Sequence, residues 1–122
     1  MGLFSINKNS LSNIEWFNLS EESQIEDLMI RSSSNPIMFF KHSTRCSISG
    51  MVKNRLENKW DINEGLTPVL LDLIKYRSIS NLLSDKFNVK HESPQVILIK
   101  DGQCVYHASH NQINVESIKT QL

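Results

Sequence analysis

Residues 36–49 read PIMFFKHSTRCSIS, and this stretch decides how the rest of the chain is interpreted. Its first part, Pro36 to Phe40, is short, apolar on both faces and rich in aromatic residues, which is typical of a central strand covered by helices on both sides. Residues 42–45 are polar and predict a loop. From Ser47 apolar residues recur at helical spacing. The stretch therefore predicts a strand, a loop and a helix, with Cys46 at the start of the helix.

The pattern extends in both directions from this stretch and gives the order βαβαβαββα. We predict a mixed sheet with three parallel strands and an antiparallel hairpin. The further elements are a strand over 14–19, a helix over 21–31 capped by Ser20, a strand over 68–74, a helix over 78–87, hairpin strands over 95–100 and 103–109 joined by Asp101-Gly102, and a helix over 114–122 capped by Asn114.

Two of these helices are expected to pack on the sheet through a regular apolar face. The residues expected to face the core are Ile48, Met51, Val52, Leu56 and Trp60 in the helix after Cys46, and Ile79, Leu82, Leu83 and Phe87 in the helix over 78–87.

Composition indicates one globular domain over residues 1–122, with 39% hydrophobic residues and 13 basic against 13 acidic side chains. A balanced charge argues against a dedicated nucleic-acid binder. The longest apolar runs are far shorter than the roughly 20 residues that cross a membrane, so no membrane partner is expected. Residues 1–6 match neither a secretion signal nor a myristoylation signal, and we therefore predict a cytoplasmic protein.

Cys46 is the candidate nucleophile. A helix start carries unpaired N–H groups and a partial positive charge, which favour a thiolate over a thiol. Arg45 and Lys41 are expected to add to this field, and no acidic residue lies between Asp27 and Glu57. A buried, inert cysteine is the alternative, but the residues that flank Cys46 are polar.

Ser49 lies three residues after Cys46, where dithiol oxidoreductases have a second cysteine. A hydroxyl cannot resolve a mixed disulfide, so Cys46 must be resolved from outside unless Cys104 reaches it. Cys104 precedes Val105 in a hairpin strand and is interpreted as structural. Ser49 is otherwise an ordinary polar residue of a first helical turn.

The histidines predict no metal site. His42 is interpreted as a surface residue of the polar loop, although it is the only local candidate for the base of a cysteine hydrolase. His107 and His110 lack the cysteine partners of a zinc site. Pro94 either opens a hairpin strand in the usual trans form or follows a cis bond.

These features together resemble the thioredoxin fold, a three-layer α/β/α sandwich, over nearly the whole chain. Residues 40–49, FKHSTRCSIS, resemble the active-site signature of the YtxJ-like monothiol bacilliredoxins. Residues 92–96, ESPQV, followed by KDG at 100–102, resemble their cis-proline and hairpin segment. Ser47 stands where the family pattern Cys-Pro-Ile-Ser has proline.

The resemblance implies a thiol-disulfide oxidoreductase from bacteria that use the small thiol bacillithiol. Cys46 would take bacillithiol from an S-bacillithiolated protein, and a second bacillithiol, as co-substrate, would regenerate it. No bound cofactor is implied, the partners are bacillithiol and S-bacillithiolated proteins, and we expect a monomer. The predicted substrate-binding residues are Thr44, Arg45, Ser47, Ser49, Ser93 and Pro94, with Arg45, Lys41 and Lys53 as anchors for the carboxylates of bacillithiol.

Three other functions stay open on the sequence. The chain is also compatible with a glutaredoxin-like scaffold that holds a [2Fe–2S] cluster through Cys46. A redox-inactive thioredoxin-like adaptor would bind partners through the same surface, and a regulator would sense oxidants through Cys46.

Overall fold

The structure, a computed structural model, describes residues 13–122 as a five-stranded sheet with helices on both faces. The elements follow the predicted order, and the predictions drawn from residues 1–6 lie outside the described residues. In chain order they are β1 (Phe17–Asn18), α1 (Ser23–Arg31), β2 (Ile37–His42), α2 (Ser47–Lys59), β3 (Thr67–Asp72), α3 (Arg77–Phe87), β4 (Gln95–Lys100), β5 (Gln103–Ser109), a 3-10 turn (His110–Gln112) and α4 (Val115–Lys119).

The strands lie in the order β1-β3-β2-β4-β5, so β2 is central. Strands β1, β2 and β3 are parallel, whereas β4 is antiparallel to both β2 and β5, as predicted. Asp101 and Gly102 both have positive φ angles, of 50° and 73°, which is the conformation of a type I′ hairpin turn. The turn is bound to the end of α1, since Ser32 accepts hydrogen bonds from the Asp101 N–H through its carbonyl and from the Gly102 N–H through its hydroxyl.

Side chains alternate across the sheet and form one core on each face. Helices α2 and α4 cover the face that carries Met38 and Phe40, and helices α1 and α3 cover the face that carries Ile37 and Phe39. This arrangement is the three-layer α/β/α sandwich expected of a thioredoxin-like domain.

The predicted apolar face of α2 is wrong at two positions. Ile48 and Met51 are 50% and 66% exposed. The buried residues are Ser49, Val52 and Leu56 in the helix and Trp60, the residue that follows it. Their spacing of three, four and four residues defines one helical face, and a polar residue at its first position hides that face from a search for apolar residues.

Helix α3 contains a similar error at Leu82, which is 36% exposed although it was predicted to face the core. Ser80 takes the inward position beside Ile79 and Leu83. The start of α1 also differs from the prediction, because Ser20 forms no cap. Instead, the Gln24 side-chain oxygen accepts hydrogen bonds from the N–H groups of residues 20 and 21.

Leu82 and Leu83 offer a matched test of this packing. We expect Leu83→Ala to lower the free energy of unfolding by about 2–5 kcal/mol, because it leaves a cavity in a site with no exposed surface. Leu82→Ala removes the same atoms from a partly exposed site and should cost less than half as much. Chemical denaturation of both variants measures the difference, and equal losses would contradict the assigned helix face.

Candidate active site

Cys46 is the N-cap residue of α2, directly beyond the carboxyl end of the central strand. Its backbone is extended, with φ −111° and ψ 120°, and its side chain is half-buried. The Cys46 N–H donates to the Ser43 carbonyl at 3.2 Å, and the Gly50 N–H donates to the Cys46 carbonyl at 3.1 Å. The thiol therefore lies at the positive end of the helix dipole, as predicted.

Ser49 holds the loop that carries Cys46. Its hydroxyl oxygen accepts the Ser43 N–H at 3.0 Å and lies 2.7 Å from Nδ1 of His42. Ser49 has no exposed surface. The prediction that it contacts substrate is therefore wrong, because a substrate cannot reach it, and its role is to join the start of the loop to the first turn of α2.

His42 is the last residue of β2 and not the surface histidine predicted in the loop. Its ring stacks on Phe40 with 6.0 Å between centroids, and Phe40 stacks on Trp16 at 5.7 Å. Burial lowers the pKa of His42, and the nearby charge of Lys53 lowers it further. Within residues 13–122 no hydrogen bond joins His42 to Cys46, and Nδ1 of His42 is bound to Ser49 instead.

Lys53 is bound to Glu57 and is no free anchor for a substrate carboxylate. Its Nζ lies 2.8 Å from Glu57 Oε2, an oxygen that also accepts the indole N–H of Trp16 at 2.7 Å. The prediction of Lys53 as an anchor is wrong for this arrangement, because its charge is already paired on the helix.

Lys41 was predicted to act on Cys46, but its side chain points to the opposite face of the sheet. Alternation along β2 places residue 41 with Ile37 and Phe39, on the side of α3, whereas His42 faces α2. Lys41 is fully buried, and burial, with a further effect of Arg77, lowers its pKa from 10.5 to about 8. Its prediction as a bacillithiol anchor is therefore wrong.

Thr44, Arg45 and Ser47 are exposed around Cys46. Among the described residues Arg45 takes part in no salt bridge, so its guanidinium is available to an incoming anion. Lys41, Arg45 and Lys53 were predicted to bind a substrate carboxylate near Cys46. Of these three, Arg45 is the one that is exposed and forms no salt bridge among the described residues.

The Ser93–Pro94 bond is cis, as the resemblance implied. Lys41 pairs with Gln95 in the antiparallel ladder of β2 and β4. This is the last pair of that ladder, so Ser93 and Pro94 come directly before β4 at the end of the sheet where β2 leads into the loop that carries Cys46. No hydrogen bond to the Ser93 backbone is found within residues 13–122, and the Ser93 hydroxyl is buried without a partner there.

Cys104 is too far from Cys46 to pair with it. It is opposite Ile99, which pairs with Ile37 at the start of β2, whereas Cys46 follows the end of that strand. The length of β2 alone separates them by roughly 17 Å, against the 7 Å that a disulfide allows between Cα atoms. Burial raises the pKa of the Cys104 thiol, which agrees with its predicted structural role.

The described residues thus contain one half-exposed thiol at a helix start, no second thiol within its reach, and an open backbone segment at Ser93. A profile of the family described as monothiol bacilliredoxin BrxC matches residues 17–118. The chain belongs to this family. A bacilliredoxin of this kind is a monothiol redox protein of the thioredoxin-like superfamily, as the sequence resemblance implied.

Solved structures agree with the bacilliredoxin assignment. A putative oxidoreductase with a thioredoxin fold is 30% identical, with a TM-score of 0.73 over 85% of this chain and 90% of that chain. A thioredoxin from Malassezia sympodialis is 10% identical, with a TM-score of 0.69 over 93% of this chain and 92% of its own. A poplar thioredoxin h mutant is 12% identical, with a TM-score of 0.71 over 94% and 86%. The last two establish the fold alone.

Two features are absent from residues 13–122 of the bacilliredoxin. None of their helices is long and apolar enough to cross a membrane. The same residues contain no group of three or more His, Cys, Asp or Glu side chains that could hold a metal ion.

The Ser49 hydrogen bonds predict a loss of stability on truncation. Ser49→Ala leaves the buried Ser43 N–H without its acceptor, and we expect the free energy of unfolding to fall by about 1–3 kcal/mol. Ser47→Ala removes a hydroxyl from the same turn at an exposed position and should change it by less than about 0.5 kcal/mol. Urea denaturation measures both, and a Ser49→Ala variant as stable as Ser47→Ala would show that the loop does not depend on this bond.

The lowered pKa of His42 predicts stability that depends on pH. His42 binds a proton more readily in the unfolded chain than in the folded one. Neutral His42 therefore contributes to the free energy of unfolding at pH values above 6.5, the ordinary pKa of histidine, and this contribution is lost as the pH falls below that value. The free energy of unfolding should therefore decrease from about pH 7 to about pH 5, and the decrease should be shallower in His42→Asn. His107→Asn, on the exposed side of β5, should keep the wild-type slope, and identical slopes for all three proteins would contradict the assignment.

Proposed function

We propose that this bacilliredoxin removes bacillithiol from S-bacillithiolated proteins in the bacterial cytoplasm, with Cys46 as its nucleophile. The observation that carries the proposal is the placement of one half-exposed thiol at the N-terminus of α2, with a serine where a resolving cysteine would stand. Such a thiol can accept a small thiol from a disulfide and must pass it on to a molecule from outside.

The proposed cycle consists of two exchanges. The Cys46 thiolate attacks the bacillithiol sulfur of the mixed disulfide, a Cys46–bacillithiol disulfide forms, and the protein sulfur leaves as a thiolate that takes a proton from water. The thiolate of a second bacillithiol then attacks the bacillithiol sulfur bound to Cys46. Bacillithiol disulfide leaves and the Cys46 thiolate is restored, so one disulfide is consumed and one is formed.

The residues around Cys46 support each step. Cys46 lies at the start of α2, where the attacking and leaving sulfur is at the end of the helix that carries unpaired N–H groups. The N–H and C=O of Ser93, which bind no group among residues 13–122, can pair with the backbone-like part of a disulfide substrate, as an added strand does. Arg45 is exposed and unpaired among the described residues, and it can bind a carboxylate of bacillithiol beside the reacting sulfur. Thr44 and Ser47, both exposed, complete the proposed contact surface, whereas Pro94 is buried and its predicted contact with substrate is not retained.

A transfer assay with the two cysteine variants tests the proposal. Purified protein is incubated with a test protein that carries bacillithiol on one cysteine, and peptide mass spectrometry follows the adduct. Wild-type protein and Cys104→Ser should take up one bacillithiol on residue 46 and release it to free bacillithiol, whereas Cys46→Ser should show no transfer above the uncatalysed rate. Transfer that survives in Cys46→Ser would contradict the proposal.

The same preparations distinguish the other functions. An iron-containing, coloured protein after anaerobic purification would favour the iron–sulfur scaffold. A wild-type protein that takes up no bacillithiol, and whose partner binding is unchanged by Cys46→Ser, would favour the adaptor. A stable adduct on Cys46 that changes partner binding, with no turnover, would favour the regulator.

A further inference from the structure

A buried polar cluster joins the central strand to the segment that carries Ser93 and Pro94. Lys41 Nζ donates to the Ser80 carbonyl at 3.0 Å and to the Ser84 hydroxyl at 2.7 Å. Its third contact is Nδ1 of His91, at 3.2 Å. The ammonium group has three donors, and each has an acceptor on α3 or on the segment that follows it.

The burial of Lys41 calls for a reason, because it is costly. A lysine ammonium without a carboxylate partner loses its hydration inside a protein, and neutral acceptors repay only part of that loss. Among residues 13–122, no Asp, Glu or carboxylate terminus lies within salt-bridge distance of Lys41. An apolar side chain, as at Ile37 and Phe39 on the same face, would fill this position without that cost.

The contact with His91 is one of three that fix residues 90–94. Gln95, which pairs with Lys41 across the ladder, donates from Nε2 to the Lys90 carbonyl at 2.9 Å. At the other end of the segment, the His110 N–H donates to the Pro94 carbonyl at 3.0 Å. Among these contacts, the one from Lys41 is the side-chain bond that joins the segment to β2, the strand that leads to Cys46.

We infer that Lys41 is a positioning residue for disulfide substrates, because it holds His91 and thereby fixes the Ser93 backbone beside the turn that carries Cys46. The inference rests on the proposed function in one respect, the pairing of substrate with Ser93. Lys41 and Ser93 both act on the position of the substrate. Lys41 fixes the segment, Ser93 pairs with the disulfide substrate, and Cys46 attacks the disulfide. The backbone of the loop that carries Cys46 is held separately, by the bonds of Ser43 to the Cys46 N–H and to the Ser49 hydroxyl.

This division of roles predicts a difference between two reagents. Iodoacetamide needs only the Cys46 thiolate, whereas a peptide that carries bacillithiol in a mixed disulfide also needs the Ser93 backbone in place. In Lys41→Met and in His91→Ala the second-order rate with the mixed disulfide should fall about tenfold or more, the size expected for one lost charged hydrogen bond. The rate with iodoacetamide should stay within about twofold of wild type, because the loop held by Ser49 is untouched.

The control is Lys100→Met, which removes the same charge at the opposite end of β4 and should leave both rates unchanged. Because Lys41 and His91 act through one bond, the double variant should be no slower than the slower single variant. His91 is half-buried, so His91→Ala carries the test by itself if Lys41→Met does not fold. The inference is overturned if both rates fall together, or if the folded variants keep the wild-type rate with the mixed disulfide.

Amide hydrogen exchange separates this inference from the proposed function, because it needs no substrate. The His110 N–H, bound to the Pro94 carbonyl, should exchange about tenfold faster in Lys41→Met than in wild type. The Asp101 N–H, bound to Ser32 at the far end of the sheet, should be unchanged. Unchanged exchange at His110 would show that Lys41 does not hold the segment. If the wild-type protein does not react with the mixed disulfide, but the His110 N–H still exchanges faster in Lys41→Met, the proposed substrate is refuted. The role of Lys41 in fixing residues 90–94 then stands.

Discussion

Alternation of side chains at the carboxyl end of β2 is the constraint on which the site depends. Lys41 pairs with both β3 and β4, and His42 pairs with β3, so these consecutive strand residues must point to opposite faces of the sheet. His42 meets Ser49 and the loop of the nucleophile, whereas Lys41 meets α3 and the segment that precedes β4. One dipeptide thus contacts α2, which begins after Cys46, from one face of the sheet and the segment before β4 from the other.

The placement of Cys46 follows from the same strand. Because β2 is bonded on both edges, its end is fixed, and a loop of only four residues leads from His42 to the first residue of α2. Two hydrogen bonds of Ser43 leave that loop little freedom: its N–H donates to the Ser49 hydroxyl, and its carbonyl accepts from the Cys46 N–H. The nucleophile is therefore presented by backbone and hydroxyl groups, without an ionised partner among these contacts.

Local signals in the sequence were sufficient for the fold and for the position of Cys46 at the start of α2. The Asp101-Gly102 turn, the Asn114 cap and the polar residues before α2 depend on their immediate neighbours, and the structure has each of them where the sequence placed it. Lys41 could not be placed in this way, because charged residues are usually exposed and its acceptors are some 40 to 50 positions away. The sequence held one signal of a buried hydrogen-bond donor such as Lys41. It was the pair of polar residues Ser80 and Ser84, which lie four positions apart on the inner face of α3. Ile48 and Met51 were misplaced because the true inner face begins with a serine.

The Ser32 contacts at the far end of the sheet have a practical consequence for anyone who labels or extends this protein. The tip of a two-residue hairpin is an exposed, polar turn, and such tips usually tolerate an inserted sequence. Here the insertion would separate Asp101 and Gly102 from Ser32, which is buried, and would detach the hairpin from α1. Leu122 is exposed and its N–H binds within the turn that follows α4, so a fluorophore attached at this residue leaves the Ser32 contacts intact.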